Sequence, residues 1–202
     1  MQMRGLLFFA LFSLMWTSSG AQDQGLIDKL QKGGLNIFIR HAITPGQDPI
    51  KVNPPTDRPF DCSVGSRQLS KEGREQSKRI ARRIKELHIP IGDVYSSTFC
   101  RCEETAKLAF DQYTLTKWLI VRPGVFNPEL DSALKSVPTQ GLLNKTPSRK
   151  NNVYVGHGVT LTQGVLSNDF GLSESKIFLE EGEAVLFEPG DRPRMLGKIK
   201  LY

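Results

Sequence analysis

The chain has 202 residues, of which 39% are hydrophobic and 24% charged, and its formal net charge is +6. This length allows one well-buried core but hardly two, so we predict a single domain. The basic residues are spread along the chain instead of forming aromatic-studded runs. This distribution argues against nucleic acid as a partner, whereas the positive charge is compatible with an anionic ligand.

The first 21 residues have the pattern of a secretory signal peptide. A basic start at Arg4 precedes an apolar stretch over residues 5–16, and small residues lead to a predicted cleavage after Ala21. The apolar stretch is shorter than the roughly 20 residues that a spanning helix needs, so we expect no stable membrane anchor after cleavage. We therefore expect a periplasmic or secreted protein whose mature domain comprises residues 22–202.

Export would place the three cysteines, Cys62, Cys100 and Cys102, in an oxidising compartment, where at least one disulfide is expected. A bond between Cys100 and Cys102 would be strained, whereas Cys62 could pair with either of them and close a loop of about 40 residues. The sequence leaves that choice open. A zinc site made from these cysteines and a histidine is disfavoured because a fourth ligand at ordinary spacing is missing.

Apolar segments typical of strands alternate with helical segments along the chain. This order predicts an α/β domain, a three-layer sandwich with a mostly parallel central sheet flanked by helices. The predicted strands comprise residues 35–39, 93–97, 118–122, 153–156, 184–188 and 196–201. One helix is predicted from Ser70 to about His88, and a second begins near Arg101 and ends at about Phe110. Two more helices are predicted near residues 129–137 and 159–166. The loop over residues 42–69 is too long for a passive connection, so we expect it to line a site.

Two of the three histidines follow predicted strands directly. Arg40 and His41 come after the first strand, and His157 lies between two glycines after the strand at residues 153–156. The carboxyl ends of parallel strands are where α/β proteins bind ligands. Arg101 lies near the start of a helix, whose free N–H groups favour an anion. His88 ends a helix, where it is expected to interact with the helix dipole or with solvent.

Two arginines and two histidines at one edge of a sheet suit phosphate chemistry. Guanidinium groups bind phosphate oxygens bidentately and are never deprotonated. A neutral imidazole beside them can attack phosphorus. An Arg-His dipeptide or a Gly-His-Gly tripeptide alone would be weak evidence, but together these residues predict phosphoryl transfer through a covalent histidine.

Four motifs in order support this prediction. Residues 40–44 read Arg-His-Ala-Ile-Thr, residues 69–77 read Leu-Ser-Lys-Glu-Gly-Arg-Glu-Gln-Ser, residues 95–106 end in a Thr-Ala pair, and residues 155–158 read Val-Gly-His-Gly. In these motifs the chain resembles the histidine phosphatase superfamily, which includes phosphoglycerate mutases and phosphohistidine phosphatases. Ala42 replaces the usual Gly of the first motif. The segment at 45–49, with Asp61 and Cys62, is similar to an exported bacterial subgroup.

The resemblance implies roles for particular residues. His41 would be the phosphorylated nucleophile, Arg40, Arg101 and His157 would form the phosphate pocket, and Thr44 would support it. The proton donor would be Glu129, with Asp131 as the second choice. The sequence has neither a nucleotide-binding loop nor a His-Glu-x-x-His metal motif. We therefore expect no metal and no cofactor.

Two interpretations of function follow. The leading one is an exported phosphatase that hydrolyses a phosphomonoester, on a phosphosugar, an envelope glycan or another small molecule. The alternative is a non-catalytic phosphate-binding or interaction protein that keeps the pocket but lacks an effective acid. Mutase activity is disfavoured because a mutase of glycolytic phosphosugars would be cytoplasmic. The substrate and the oligomeric state are left open by the sequence.

Overall fold

The computed structural model describes residues 18–46, 62, 67–116, 119, 145–158, 161, 178–190 and 193–202. In chain order, its elements are α1 Ser18–Lys32, β1 Asn36–Arg40, α2 Lys71–Glu86, β2 Ile91–Ser97, α3 Cys100–Phe110, β3 Thr114–Thr116, β4 Asn151–Gly156, β5 Ala184–Glu188 and β6 Arg194–Ile199. Within these ranges, no helix is both long enough and apolar enough to cross a membrane.

Within the described part of the chain, six strands form one sheet in the order β3-β2-β4-β1-β5-β6. Strands β1, β2, β3 and β4 are parallel to one another, whereas β5 pairs antiparallel with β1 and β6 antiparallel with β5. The predicted α/β fold with a mostly parallel sheet is therefore confirmed. The antiparallel pair lies at one edge, and it brings the start of β5 beside the end of β1.

Both faces of the central strands are buried. Ile37 and Ile39 pack into a cluster with side chains of α1, α2 and α3, whereas Phe38 points to the opposite face. There it packs in a second cluster with Leu119 and Leu161. A strand covered on both faces has no polar alternation, which explains the unbroken apolar run before Arg40. The predicted helices at residues 129–137 and 159–166 fall outside the described ranges, apart from Leu161.

Two elements differ from the sequence prediction. Strand β3 at Thr114–Thr116 was not predicted, and the predicted strand at residues 118–122 lies outside the described residues apart from residue 119. A three-residue strand with two threonines lacks the apolar run that signals a strand. Helix α2 ends at Glu86, so His88 lies beyond it, exposed and with a φ of 54°. Pro90 limits the helix because proline and the residue before it disfavour helical geometry.

A disulfide joins Cys62 to Cys100, with 5.7 Å between the two Cα atoms and a sequence separation of 38. Closing a loop of that length stabilises a fold by about 4 kcal/mol in the chain-entropy model. Cys102 is buried and is not part of the disulfide. The disulfide uses two of the three cysteine sulfurs that the disfavoured zinc site would need. The described residues also contain no cluster of three or more His, Cys, Asp or Glu that could hold a metal.

Candidate active site

The register of two parallel strands brings His41 and His157 together. Arg40, the last residue of β1, pairs with Gly156, the last residue of β4, so the next residue on each strand is a histidine. The backbone N–H of His41 donates to the carbonyl of Gly156 at 2.9 Å. The two imidazole rings meet edge to face with centroids 5.4 Å apart. The prediction that these strand ends converge is therefore met by the structure.

Side chains from both neighbouring helices hold the backbone that follows His41. The N–H of Ala42 donates to Oγ1 of Thr105 at 3.0 Å, and the N–H of Ile43 donates to Oε1 of Gln76 at 3.1 Å. Thr105 in turn donates to the carbonyl of Arg101 at 2.7 Å. Buried backbone groups need such partners. The Gln and Thr positions of the sequence motifs therefore act by fixing the loop that carries the first histidine.

The start of α2 closes on the same loop. The N–H of Ser70 donates to the carbonyl of Ile43 at 2.9 Å, while the Ser70 hydroxyl accepts from the N–H of Gly73 and caps the helix as predicted. A Cβ atom at Gly73 would lie 2.0 Å from the carbonyl oxygen of Ile43. Only glycine allows the helix to approach this closely, which accounts for the glycine in the second motif.

The imidazole of His41 is held in one tautomer. Its Nδ1 lies 2.9 Å from the carbonyl oxygen of Ala42. Because a carbonyl only accepts hydrogen bonds, Nδ1 must carry the proton and Nε2 must carry the lone pair. The ring is almost fully buried, with 2% of the residue exposed. His41 therefore presents a nucleophilic nitrogen in a fixed orientation.

Burial and positive charge keep His41 neutral. Together they lower the pKa of His41 to about 3. Desolvation is the largest cause and the charge of Arg101 the next, while Arg40 and Arg67 have smaller effects. The hydrogen bond to Ala42 opposes this shift without reversing it. At neutral pH the ring is unprotonated at Nε2, which is the form that can attack phosphorus.

Arg101 and His157 form a second buried unit. Nη2 of Arg101 lies 3.3 Å from Nδ1 of His157, and the guanidinium packs over the ring of Phe99 at 4.6 Å. A guanidinium can only donate, so Nδ1 of His157 accepts and Nε2 carries the proton, 3.4 Å from Oγ of Ser97. Burial, followed by the charge of Arg101, lowers the pKa of His157 well below its usual value. Both site histidines are therefore neutral.

Arg40 lies at the edge of the site. Its Nη1 donates to the carbonyl of Leu179 at 2.7 Å, and its Nη2 lies 3.6 Å from Oε1 of Glu181. The same oxygen accepts from the Thr44 hydroxyl at 2.7 Å. Thr44 is therefore linked to Arg40 through a carboxylate that sequence reasoning missed, and its supporting role stays a prediction.

Two more residues that the sequence did not indicate lie at the site. Arg67 donates to the carbonyl of Gly46 at 2.6 Å, and its charge lowers the pKa values of both site histidines. Sγ of Cys102 lies 3.5 Å from Nε2 of His157. A signal for Arg67 existed, since it lies in the long loop expected to line a site. The two predicted proton donors, Glu129 and Asp131, lie outside the described residues, and their role stays a prediction.

Comparison with known proteins shows what this chain is similar to. Residues 37–120 match the model of the histidine phosphatase superfamily (branch 1). The fold is similar to that of the protein histidine phosphatase SixA complexed with tungstate, at 14% identity, a TM-score of 0.51, and coverage of 83% of this chain and 97% of that one. A mutant phosphoserine phosphatase from Entamoeba histolytica, in complex with phosphoserine, gives 18% identity, a TM-score of 0.51 and coverage of 83% and 97%. A search of curated proteins gave no significant match.

The family match and the shared fold agree with the four motifs and with the geometry around His41. The chain is therefore similar to the histidine phosphatase superfamily over residues 37–120, and it shares the fold of solved phosphatases. The resemblance expected from the sequence is thereby confirmed. The similarity to an exported subgroup stays a prediction.

The buried neutral histidine should make stability depend on pH. The pKa of His41 is about 3 in the fold against 6.5 for an unperturbed histidine, so between these values the unfolded chain binds more protons. The contribution of the neutral His41 ring to the free energy of unfolding is therefore complete above about pH 6.5 and is lost as the pH falls towards 3. When the pH is lowered from about 7 to about 5, we expect the free energy of unfolding of His41→Asn to rise by about 2 kcal/mol relative to that of the wild type. Urea unfolding at both pH values measures this difference, and a difference that does not change with pH would contradict the assignment.

Proposed function

We propose that this protein is an exported phosphatase that hydrolyses a phosphomonoester through a phosphohistidine at His41. The observation that carries the proposal is the hydrogen bond from Nδ1 of His41 to the carbonyl of Ala42. It leaves Nε2 as the basic nitrogen in a ring whose pKa is too low for protonation at neutral pH. A histidine in this state is ready to attack phosphorus without first losing a proton.

The charges around His41 suit a phosphate dianion. Arg101 is buried in the first turn of α3, where the partial positive charge of the helix end adds to that of the guanidinium. Arg40 and Arg67 add two more cations whose fields reach the ring. Such an arrangement favours an anionic ligand and offsets charge in the transition state. We propose a phosphorylated small molecule as substrate, either a phosphosugar or a phosphate group on an envelope glycan.

The reaction has two steps in this proposal. The lone pair of His41 Nε2 forms a bond to phosphorus while the bond from phosphorus to the leaving oxygen breaks. That oxygen keeps the electron pair of the broken bond and accepts a proton from an acid. We propose Glu129 as this acid, with Asp131 as the second choice. Water then attacks phosphorus and gives a proton to the carboxylate that the acid left in the first step. The bond from phosphorus to Nε2 breaks, its electron pair returns to the ring, and inorganic phosphate and neutral His41 are released. The phosphoryl group would be held between Arg40, Arg101 and His157 throughout.

Export is supported by the signal pattern and by the structure of α1. The predicted cut after Ala21 falls in the first turn of α1, before the residues that enter the core, Leu26, Ile27 and Leu30. Cleavage there would leave the packed part of the helix in the mature domain. The disulfide between Cys62 and Cys100 also suits an oxidising compartment.

Replacing the nucleophile tests the chemistry. We expect His41→Ala to lower the turnover of an aryl phosphate by about four orders of magnitude or more, because no other group can take up the phosphoryl group. His88→Ala is the matched control, since His88 is exposed and contacts the carbonyl of Glu86. After brief exposure to labelled substrate, acid-labile and base-stable label should remain on the wild type and the control alone. Active His41→Ala protein would overturn the mechanism, and a wild type that binds phosphate without turnover would favour the non-catalytic alternative.

Processing of the N-terminus tests export. When the 202-residue chain is expressed in a Gram-negative host, we expect the periplasmic fraction to contain a protein with the mass of residues 22–202. Alkylation under denaturing conditions should label one thiol, Cys102, before reduction and three after it. Protein produced from residue 22 onward provides the unexported control. Recovery of the full 202-residue mass from the cytoplasm would contradict the proposal of export.

A further inference from the structure

A carboxylate lies behind the proposed nucleophile. Oε1 of Glu181 is 3.8 Å from Nδ1 of His41, and it accepts a hydrogen bond from the Thr44 hydroxyl at 2.7 Å. Oε2 lies 3.4 Å from the backbone N–H of Thr44. The side chain is about one quarter exposed. Glu181 therefore approaches the ring from the Nδ1 side, away from the nitrogen that would attack phosphorus.

The turn before β5 is built to hold this carboxylate in place. The N–H of Gly182 donates to the carbonyls of both Arg40 and His41, at 3.1 and 3.0 Å. The carbonyl of Glu181 accepts from Nε2 of Gln76 at 2.9 Å. Gly182 has a φ of 81°, and a Cβ atom there would lie 2.5 Å from the Gln76 amide. The peptide group that follows Glu181 is thus fixed to the end of β1 through the Gly182 N–H and to α2 through Gln76.

We infer that Glu181 is a positioning residue that balances the positive charge of the His41 ring once its Nε2 is phosphorylated. The inference rests on the proposed phosphohistidine mechanism. Its basis is the placement of the carboxylate at Nδ1, on the opposite side of the ring from the attacking nitrogen, with Thr44 and the turn at Gly182 holding it there.

The charge balance of the step shows why such a group is needed. When the Nε2 lone pair forms the bond to phosphorus, Nδ1 keeps its proton, so the ring of His41 becomes an imidazolium. The electron pair of the broken bond leaves with the alcohol oxygen, which is protonated by the acid. The new cation forms in a buried site that already holds the charges of Arg40 and Arg101. Within the described residues, Glu181 supplies a negative charge on the Nδ1 side of that ring.

This role predicts opposite effects on the two steps. Without the carboxylate the imidazolium is less stable, so phosphorylation should slow down. The destabilised phosphohistidine is a better leaving group, so its hydrolysis should not slow down and less phosphoenzyme should accumulate. Binding of an oxyanion should be as tight as before or tighter, because Glu181 also contacts Arg40 and opposes an anion there.

Rapid-quench kinetics with Glu181→Gln test the inference, because glutamine keeps one oxygen to accept from the Thr44 hydroxyl while it removes the charge and the long contact with the Thr44 N–H. We expect the rate constant of phosphorylation to fall about tenfold or more, by analogy with the 10–100-fold losses on removing residues that orient metal ligands. The inhibition constant for inorganic phosphate should be unchanged or lower. The matched control is Glu180→Gln, in the same turn, whose carboxylate is exposed and pairs with Lys200 at 2.8 Å. The control should phosphorylate at the wild-type rate.

Each result bears on the inference. Wild-type phosphorylation in Glu181→Gln would overturn it, and so would a parallel loss of phosphorylation and phosphate binding, which indicates structural damage. Should the glutamine variant not fold, Glu181→Asp and Glu181→Asn can be compared with each other instead. We expect faster phosphorylation in the variant with the charged aspartate. Equal rates in the two variants would overturn the inference. If the wild type itself forms no phosphohistidine, the proposed function fails first. That outcome is distinguishable, since it is seen without any variant.

Discussion

The site depends on one hydrogen bond, from Nδ1 of His41 to the carbonyl of Ala42. This bond decides which ring nitrogen is free, and its geometry is set by backbone rather than by a flexible side chain. The loop that carries the carbonyl is fixed in turn by Thr105 from α3 and Gln76 from α2. Helices α2 and α3 therefore do more than cover the sheet. They hold the backbone that selects the tautomer, and this explains why motif residues far from the ring belong to the same pattern.

The same arrangement places several charges in a small volume. Burial and three arginines keep His41 and His157 neutral, which provides a nucleophile but makes the fold less stable in acid. The positive field is suited to a phosphate dianion, yet it opposes the cation that phosphorylation creates on the ring. Glu181 lies on the Nδ1 side of the ring, where it can offset that cation, and it also contacts Arg40.

Much of this site could be predicted because strand ends are visible in the sequence. The apolar run before Arg40 and the run before His157 show where β1 and β4 end, and parallel pairing then brings the two histidines together. Glu181 could not be found in this way. It precedes β5, and its position beside His41 depends on the antiparallel pairing of β5 with β1, which no local pattern indicates. The choice of Cys100 over Cys102 was open for a similar reason, since it depends on which side of α3 faces residue 62.

The tautomer of His41 is the most direct test of this account, because the nucleophile, the charge balance and the role of the loop all follow from it. It can be measured by nitrogen-15 NMR of the mature protein at about pH 7, with the His41 signals assigned by their loss in His41→Asn. The account predicts a neutral ring protonated at Nδ1, with an unprotonated Nε2. A ring protonated at Nε2 alone, or an imidazolium at this pH, would contradict it.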